Sequence, residues 1–189
     1  MSESSNRREV LKVALALGAT VPVLKVADAA DDPAQEKPQL GDQFVYLSGD
    51  KKGQVVKPDD LPVGGPQVMV WPIDPKTKVV RDKTRLNQVL LMRLDPATLD
   101  QETRANAATD GVVAYTAICT HQGCPVSMWD KANQTLFCSC HGSQYKPEDF
   151  GKVVAGPAPR RLPMLPVKEE GGQIVVAGTF TSRVGGEKG

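Results

Sequence analysis

The chain has 189 residues, room for one domain plus a leader or tail, and its net charge of +1 excludes a global field that would recruit nucleic acid or an anionic membrane. It is 40% hydrophobic but only 5% aromatic, with 17 glycines and 15 prolines, which fits a compact, loop-rich domain and excludes a coiled coil or a disordered tail. No uninterrupted apolar run reaches the roughly eighteen residues that a membrane span asks for.

In chain order, residues 1–30 are expected to be an export leader. The stretch Asn6-Arg7-Arg8-Glu9-Val10-Leu11-Lys12 resembles the twin-arginine export signal, and an apolar run follows from Val13 to Leu24. Ala27-Asp28-Ala29 then offers small residues at a cleavage point. The alternative is an amphipathic first helix of the folded domain. Residues 31–41, with Pro33 and Pro38, read as an extended, solvated linker. The folded domain is expected over 42–180, and residues 181–189 as a frayed tail.

Within the domain, short Val-, Ile- and Leu-rich runs bounded by Gly, Pro, Asp or Lys predict an all-β fold. The expected strands lie in 44–47, 67–73, 86–94, 111–118, 134–137, 151–156, 161–167 and 173–178. One segment differs: in "DPATLDQETRANAA", Asp95 can cap and Pro96 suits a first helical position, so a short helical insertion is expected between two strands.

Chemistry concentrates in two places. "CTHQGC" (119–124) and "CSCHGSQY" (138–145) hold all four cysteines and both histidines of the chain. Each follows a predicted strand and runs into glycine, so each is a loop at a strand tip. Cys119 and His121 in the first and Cys138 and His141 in the second are the candidate metal ligands; Cys124 and Cys140 remain as a matched pair. Two cysteines and two histidines can hold zinc tetrahedrally, although C-x-H-x-x-C followed by C-x-C-H lacks the usual zinc-knuckle pairs. The same supply suits two sulfide-bridged irons, one on two thiolates and the other on two imidazoles. Two ordinary disulfides with incidental histidines are the remaining possibility.

These residues, together with Gly123, Gly142 and Ser143, resemble the Rieske iron–sulfur family. The resemblance implies stacked antiparallel sheets with a cluster-binding subdomain and a [2Fe-2S] cluster. It implies that Cys119 and Cys138 hold one iron and His121 and His141 the other, and that Cys124 and Cys140 form a disulfide between the loops. Ser143 and Tyr145 stand where the high-potential members donate hydrogen bonds to cluster sulfur. Gly156, Pro157, Ala158 and Pro159 resemble the loop that covers the cluster.

The second cysteine pair, Cys124 and Cys140, sets the chain apart from the oxygenase type of the family, and the proline loop and the helical insertion resemble Rieske subunits of cytochrome bc complexes. Such a subunit passes single electrons from quinol to a c-type cytochrome beside a cytochrome b-type subunit, on the periplasmic side of a bacterial inner membrane. Two departures point elsewhere. Gln122 replaces the usual apolar residue of the first motif, and the leader's apolar run is shorter than the roughly twenty residues of an anchor. They leave open a soluble or peripheral electron-transfer subunit of a periplasmic molybdenum enzyme, as in arsenite oxidase. An oxygenase component would need a further iron site, and the chain has no histidine outside the two loops.

Overall fold

The structure, a computed structural model, describes residues 32–186; the leader expected over 1–30 and residues 187–189 lie outside them. In chain order the strands are β1 (Gln43–Tyr46), β2 (Val68–Ile73), β3 (Val89–Arg93), β4 (Val112–Thr116), β5 (Met128–Asp130), β6 (Thr135–Cys138), β7 (Ser143–Lys146), β8 (Lys152–Ala155), β9 (Val167–Glu170) and β10 (Gln173–Val176). A single α-helix of the described residues, α1 (Gln101–Asn106), lies between β3 and β4. All pairings between these strands are antiparallel. They make one sheet ordered β1-β2-β3-β4, a second ordered β5-β6-β7-β8, and the hairpin β9–β10.

The continuous apolar runs of β3 and β4 have a physical reason: both faces of these strands are covered. Side chains alternate across a strand. Val89, Leu91, Val112 and Ala114 therefore enter a core shared with Phe44, Val70, Leu165 and Ile174. Their neighbours Leu90, Met92, Val113 and Tyr115 enter a second core with Leu136, Tyr145, Leu162 and Met164. The β1–β4 sheet is thus a shared wall. The β9–β10 hairpin closes one side and the β5–β8 sheet, which carries the second cysteine–histidine loop, closes the other. Full burial of a side chain of this size stabilises by about 1.5–3 kcal/mol.

Several expectations shift. The run expected at 161–167 is no strand before Val167, where β9 begins, because Pro163 and Pro166 remove ladder donors; Met164 makes only an isolated bridge to Tyr115, and Leu165 N donates to Ala114 O. β5 and β7 were not anticipated. The helix starts later than Asp95: Asp100 is its cap, accepting from Thr103 N at 2.6 Å, while Asp95 holds a preceding turn through Ala97 N. This insertion braces the loop after β7. Thr103 Oγ1 donates to Glu148 O and accepts from Phe150 N, and the buried Tyr115 hydroxyl donates to Pro147 O at 2.7 Å.

The segment read as a solvated linker is instead fastened down. Arg81, 4% exposed, donates to both carboxylate oxygens of Asp42, to Glu36 Oε2 and to Pro33 O. Nothing local in the linker announces a guanidinium some forty positions away. Nor does the tail fray at residue 181: Thr181 N donates to Met164 O, and Thr181 Oγ1 accepts from Met164 N. Among the described residues no helix is long and apolar enough to cross a membrane.

Candidate metal centre

The chain leaves β4 at Thr116 and reaches Cys119 with every residue still buried; the second loop joins β6 directly to β7. Both loops close the same turn. Gly123 N donates to Cys119 O at 3.0 Å, and Gly142 N donates to Cys138 O at 3.1 Å. The two glycines have φ of +75° and +76°, a left-handed conformation that side chains resist. The glycine after each cysteine pattern is therefore a geometric requirement of the turn.

The turns bring the candidate ligands together. Cys119 and Cys138 are free, buried thiols, one at the base of each loop. His121 and His141 meet edge to face with ring centroids 4.7 Å apart. His121 is half-buried and His141 exposed, so the imidazole pair forms the outer end of the site and the thiols its inner end. Cys124 and Cys140 are joined by a disulfide that ties the loops together, and the Cys138 sulfur lies within 4.8 Å of both of its sulfurs.

Tyr145 reaches the inner end from β7. Its hydroxyl lies 3.1 Å from Cys119 Sγ and 3.1 Å from Thr120 Oγ1, and it accepts from Thr120 N at 3.1 Å. Thr120 Oγ1 gives its one hydrogen to Arg160 O at 2.7 Å. The Tyr145 proton is therefore left for Cys119 Sγ or Thr120 Oγ1, and a Cys119 sulfur that held a metal, having no hydrogen of its own, could only accept. Burial, then the bond to Cys119, push the Tyr145 hydroxyl above its ordinary value, so it remains a protonated donor at neutral pH. Burial also pushes the Cys138 thiol up, opposed by the backbone N–H groups of Cys140 and His141.

The 156–159 loop sits on the second turn. A Cβ at Gly156 would lie 2.5 Å from Ser143 Cα and 2.6 Å from Gly142 O, and φ there is +82°. Only glycine permits that approach. Pro157, Pro159 and the half-buried Ala158 continue the same loop. Gln122 is exposed at the tip. Sequence reasoning missed Thr120, Arg85 and Arg160: Arg85 Nη1 donates to Gly123 O at 2.7 Å, across 38 positions of sequence. No local pattern could have signalled that pairing.

The donor chemistry, two buried thiols and two adjoining imidazoles, fits a two-iron group. Two buried polar atoms at the site have no partner among the described residues: His121 Nδ1 and Ser143 Oγ. A buried group without a hydrogen bond costs free energy, and such exceptions mark functional positions. A metal would satisfy the bare imidazole nitrogen, and a cluster sulfide would accept from the serine hydroxyl.

A family model described as "Rieske [2Fe-2S] domain" matches residues 44–166. A cytochrome bc1 complex Rieske iron-sulfur subunit of Corynebacterium diphtheriae is 38% identical over 104 residues, 52% of this chain and 26% of that one. The protein of the same name from Mycobacterium tuberculosis is 30% identical over 145 residues, 69% of this chain and 34% of its own. The chain thus spans about a quarter to a third of the length of these curated relatives. Among solved structures, the cyanobacterial plasma membrane Rieske protein from Synechocystis PCC 6803 is similar at 28% identity, with a TM-score of 0.38, over 58% of this chain and 86% of that one.

Proposed function

Because the chain belongs to the Rieske [2Fe-2S] family, we propose that it is the high-potential one-electron carrier of a quinol–cytochrome c reductase, of the bc type. In this proposal Cys119 and Cys138 hold one iron of the cluster, and His121 and His141 the other. The observation that carries it is the Tyr145 hydroxyl 3.1 Å from Cys119 Sγ, with the unpartnered Ser143 hydroxyl at the other loop. Both hydroxyls stabilise negative charge at sulfur, which favours the reduced state and raises the potential.

When bound, the cluster supplies transfer of one electron at a time. The chain's residues do the rest. Cys119, Cys138, Tyr145 and Ser143 keep the inner end dry. The Cys124–Cys140 disulfide keeps the two ligand loops in register. If it holds iron through one ring nitrogen, the exposed His141 would take the proton of a hydroxyl donor arriving at the tip only with its other nitrogen deprotonated, the form that a bound metal ion favours. Electron and proton then leave a quinol at one place. The partners this reading calls for are a cytochrome b-type subunit that holds the quinol and a c-type cytochrome that accepts the electron. Its location is the periplasmic side of a bacterial inner membrane, reached through a twin-arginine leader.

Exposed Gln122 favours a second reading, the small electron-transfer subunit of a periplasmic molybdenum oxidoreductase. At an apolar quinol pocket its amide would be desolvated at a cost of about 1–3 kcal/mol unless it is bonded, whereas a wetter interface accepts it. The test is a redox titration followed by the reduced-state EPR signal in membranes. The proposal expects a potential toward the top of the roughly −150 to +300 mV range of Rieske centres, and a signal perturbed by quinol-analogue inhibitors. A potential near the bottom of that range contradicts it; an inhibitor-insensitive signal selects the second reading.

A further inference from the structure

We propose that the segment from Thr181 to Gly186 is a clamp on the first ligand loop, fastened by Arg160, and that Arg160 is therefore a positioning residue for His121. The inference rests on His121 being a cluster ligand, as proposed above.

Three contacts build the clamp. The first is Arg160 itself, which faces two ways. Its carbonyl receives Thr120 Oγ1 of the ligand loop at 2.7 Å, while its Nη1 donates to Arg183 O at 2.7 Å and its Nη2 donates to Gly185 O. The second is direct backbone contact. A Cβ at Gly186 would lie 2.5 Å from His121 O and 3.0 Å from Gln122 Cα, so the segment lies against the histidine's own backbone with no room for a side chain. The third is Arg85, which holds the same loop from the turn before β3 through Gly123 O. Arg183 closes the end by donating to Gly186 O at 2.6 Å.

Among the described residues none of Arg85, Arg160 and Arg183 has a carboxylate partner. Their guanidinium groups are directed at carbonyls of the loop and the clamp, where charge-assisted bonds are strong and geometrically demanding. The second loop has no arginine on its carbonyls among the described side-chain bonds; it is covered instead by Gly156, whose Cβ would lie 2.6 Å from Gly142 O, so the two loops are held by separate segments. His121 sits between Thr120, which is bonded to Arg160, and Gln122, which is touched by Gly186. Its backbone, and with it the aim of its imidazole, is held from both sides. Groups outside the ligand set that fix a ligand's orientation tune the metal.

The test uses the purified full chain and three variants: one ended after Thr181, Gly186→Ala and Arg160→Gln. Amide hydrogen exchange is measured at 119–124 and at 138–143, and the EPR spectrum and reduction potential are recorded on the cluster-loaded protein. Loss of the Arg160 bonds or forced separation at Gly186 should speed exchange at 119–124 by roughly tenfold or more, leave 138–143 unchanged, and shift the EPR spectrum. Gly186→Ala alters no charge, so a shift there is positional. If the shortened chain fails to fold, the two point variants carry the test. Unchanged exchange at 119–124, or equal acceleration in both loops with an unchanged spectrum and potential, overturns the clamp. A full chain that shows no Rieske EPR signal overturns the cluster reading instead, and the exchange data still decide the clamp.

Discussion

The two ligand loops close the same turn with the same left-handed glycine, yet their surroundings are opposite. The first emerges from β4, where Ala117, Ile118, Cys119 and Thr120 are all buried, and it is held by Arg85, Arg160 and Gly186. The second is a hairpin connection whose Ser139, Cys140 and His141 are exposed. A half held by arginines and a half overlain only by Gly156 of the 156–159 loop, joined by one disulfide, give a site that is buried in depth but open at its tip. The difference assigns different costs to equivalent substitutions.

The largest effect is expected from the four proposed ligands. Cys119→Ala, His121→Ala, Cys138→Ala and His141→Ala should each abolish the cluster, read as loss of iron and of the reduced-state EPR signal. Their equality across the two loops would show that ligation depends on neither loop's bracing. Next comes the tie between the loops. Cys124→Ser should destabilise the domain by about 3 kcal/mol, the chain-closure value for a loop of this length, since the cysteines are 16 positions apart. Denaturant unfolding of the cluster-loaded protein measures it, and hydrogen exchange should show the second loop loosening more than the first.

Gly142→Ala and Gly123→Ala sharpen the comparison at the turns. Each forces a side chain into the left-handed region at a cost of about 1–2 kcal/mol. Gly123→Ala must also displace the Arg85 guanidinium, 3.3 Å from the new Cβ, and should cost the more in unfolding free energy. The smallest effects are electronic. Tyr145→Phe and Ser143→Ala should each leave the cluster in place and lower its potential by tens of millivolts or more. A hydrogen bond to a charged acceptor is worth about 1.5–3 kcal/mol and about 59 mV corresponds to a tenfold change for one electron. Tyr145→Phe should also cost stability, because it leaves the buried Thr120 N–H without its acceptor.

How much of this was legible in the sequence follows from the range of each interaction. The cysteine–histidine loops, the turn glycines and the apolar runs of β3 and β4 are local patterns, and they were readable. β7 was not: its Ser143 and Tyr145 point inward as polar residues, so "SQYK" carries motif chemistry and no apolar alternation. The helix cap moved from Asp95 to Asp100 because two acceptors compete for neighbouring turns and tertiary contact with Glu148 decides between them. Arg81 with Asp42, Thr120 with Arg160 and Arg160 with Arg183 are separated by 39, 40 and 23 positions. Such pairings leave no trace in spacing, which is why a fastened segment read as a linker and a clamp read as a fraying end.

The central claim is that two imidazoles, one from each loop, hold the same iron. It is tested most directly by pulsed EPR on the reduced protein with histidine labelled in nitrogen-15. The chain has only two histidines, so the assignment predicts two strongly coupled nitrogens, both from His121 and His141, in a spectrum lost in either histidine variant. One coupled nitrogen or none, or a native spectrum persisting in His121→Ala, would contradict it.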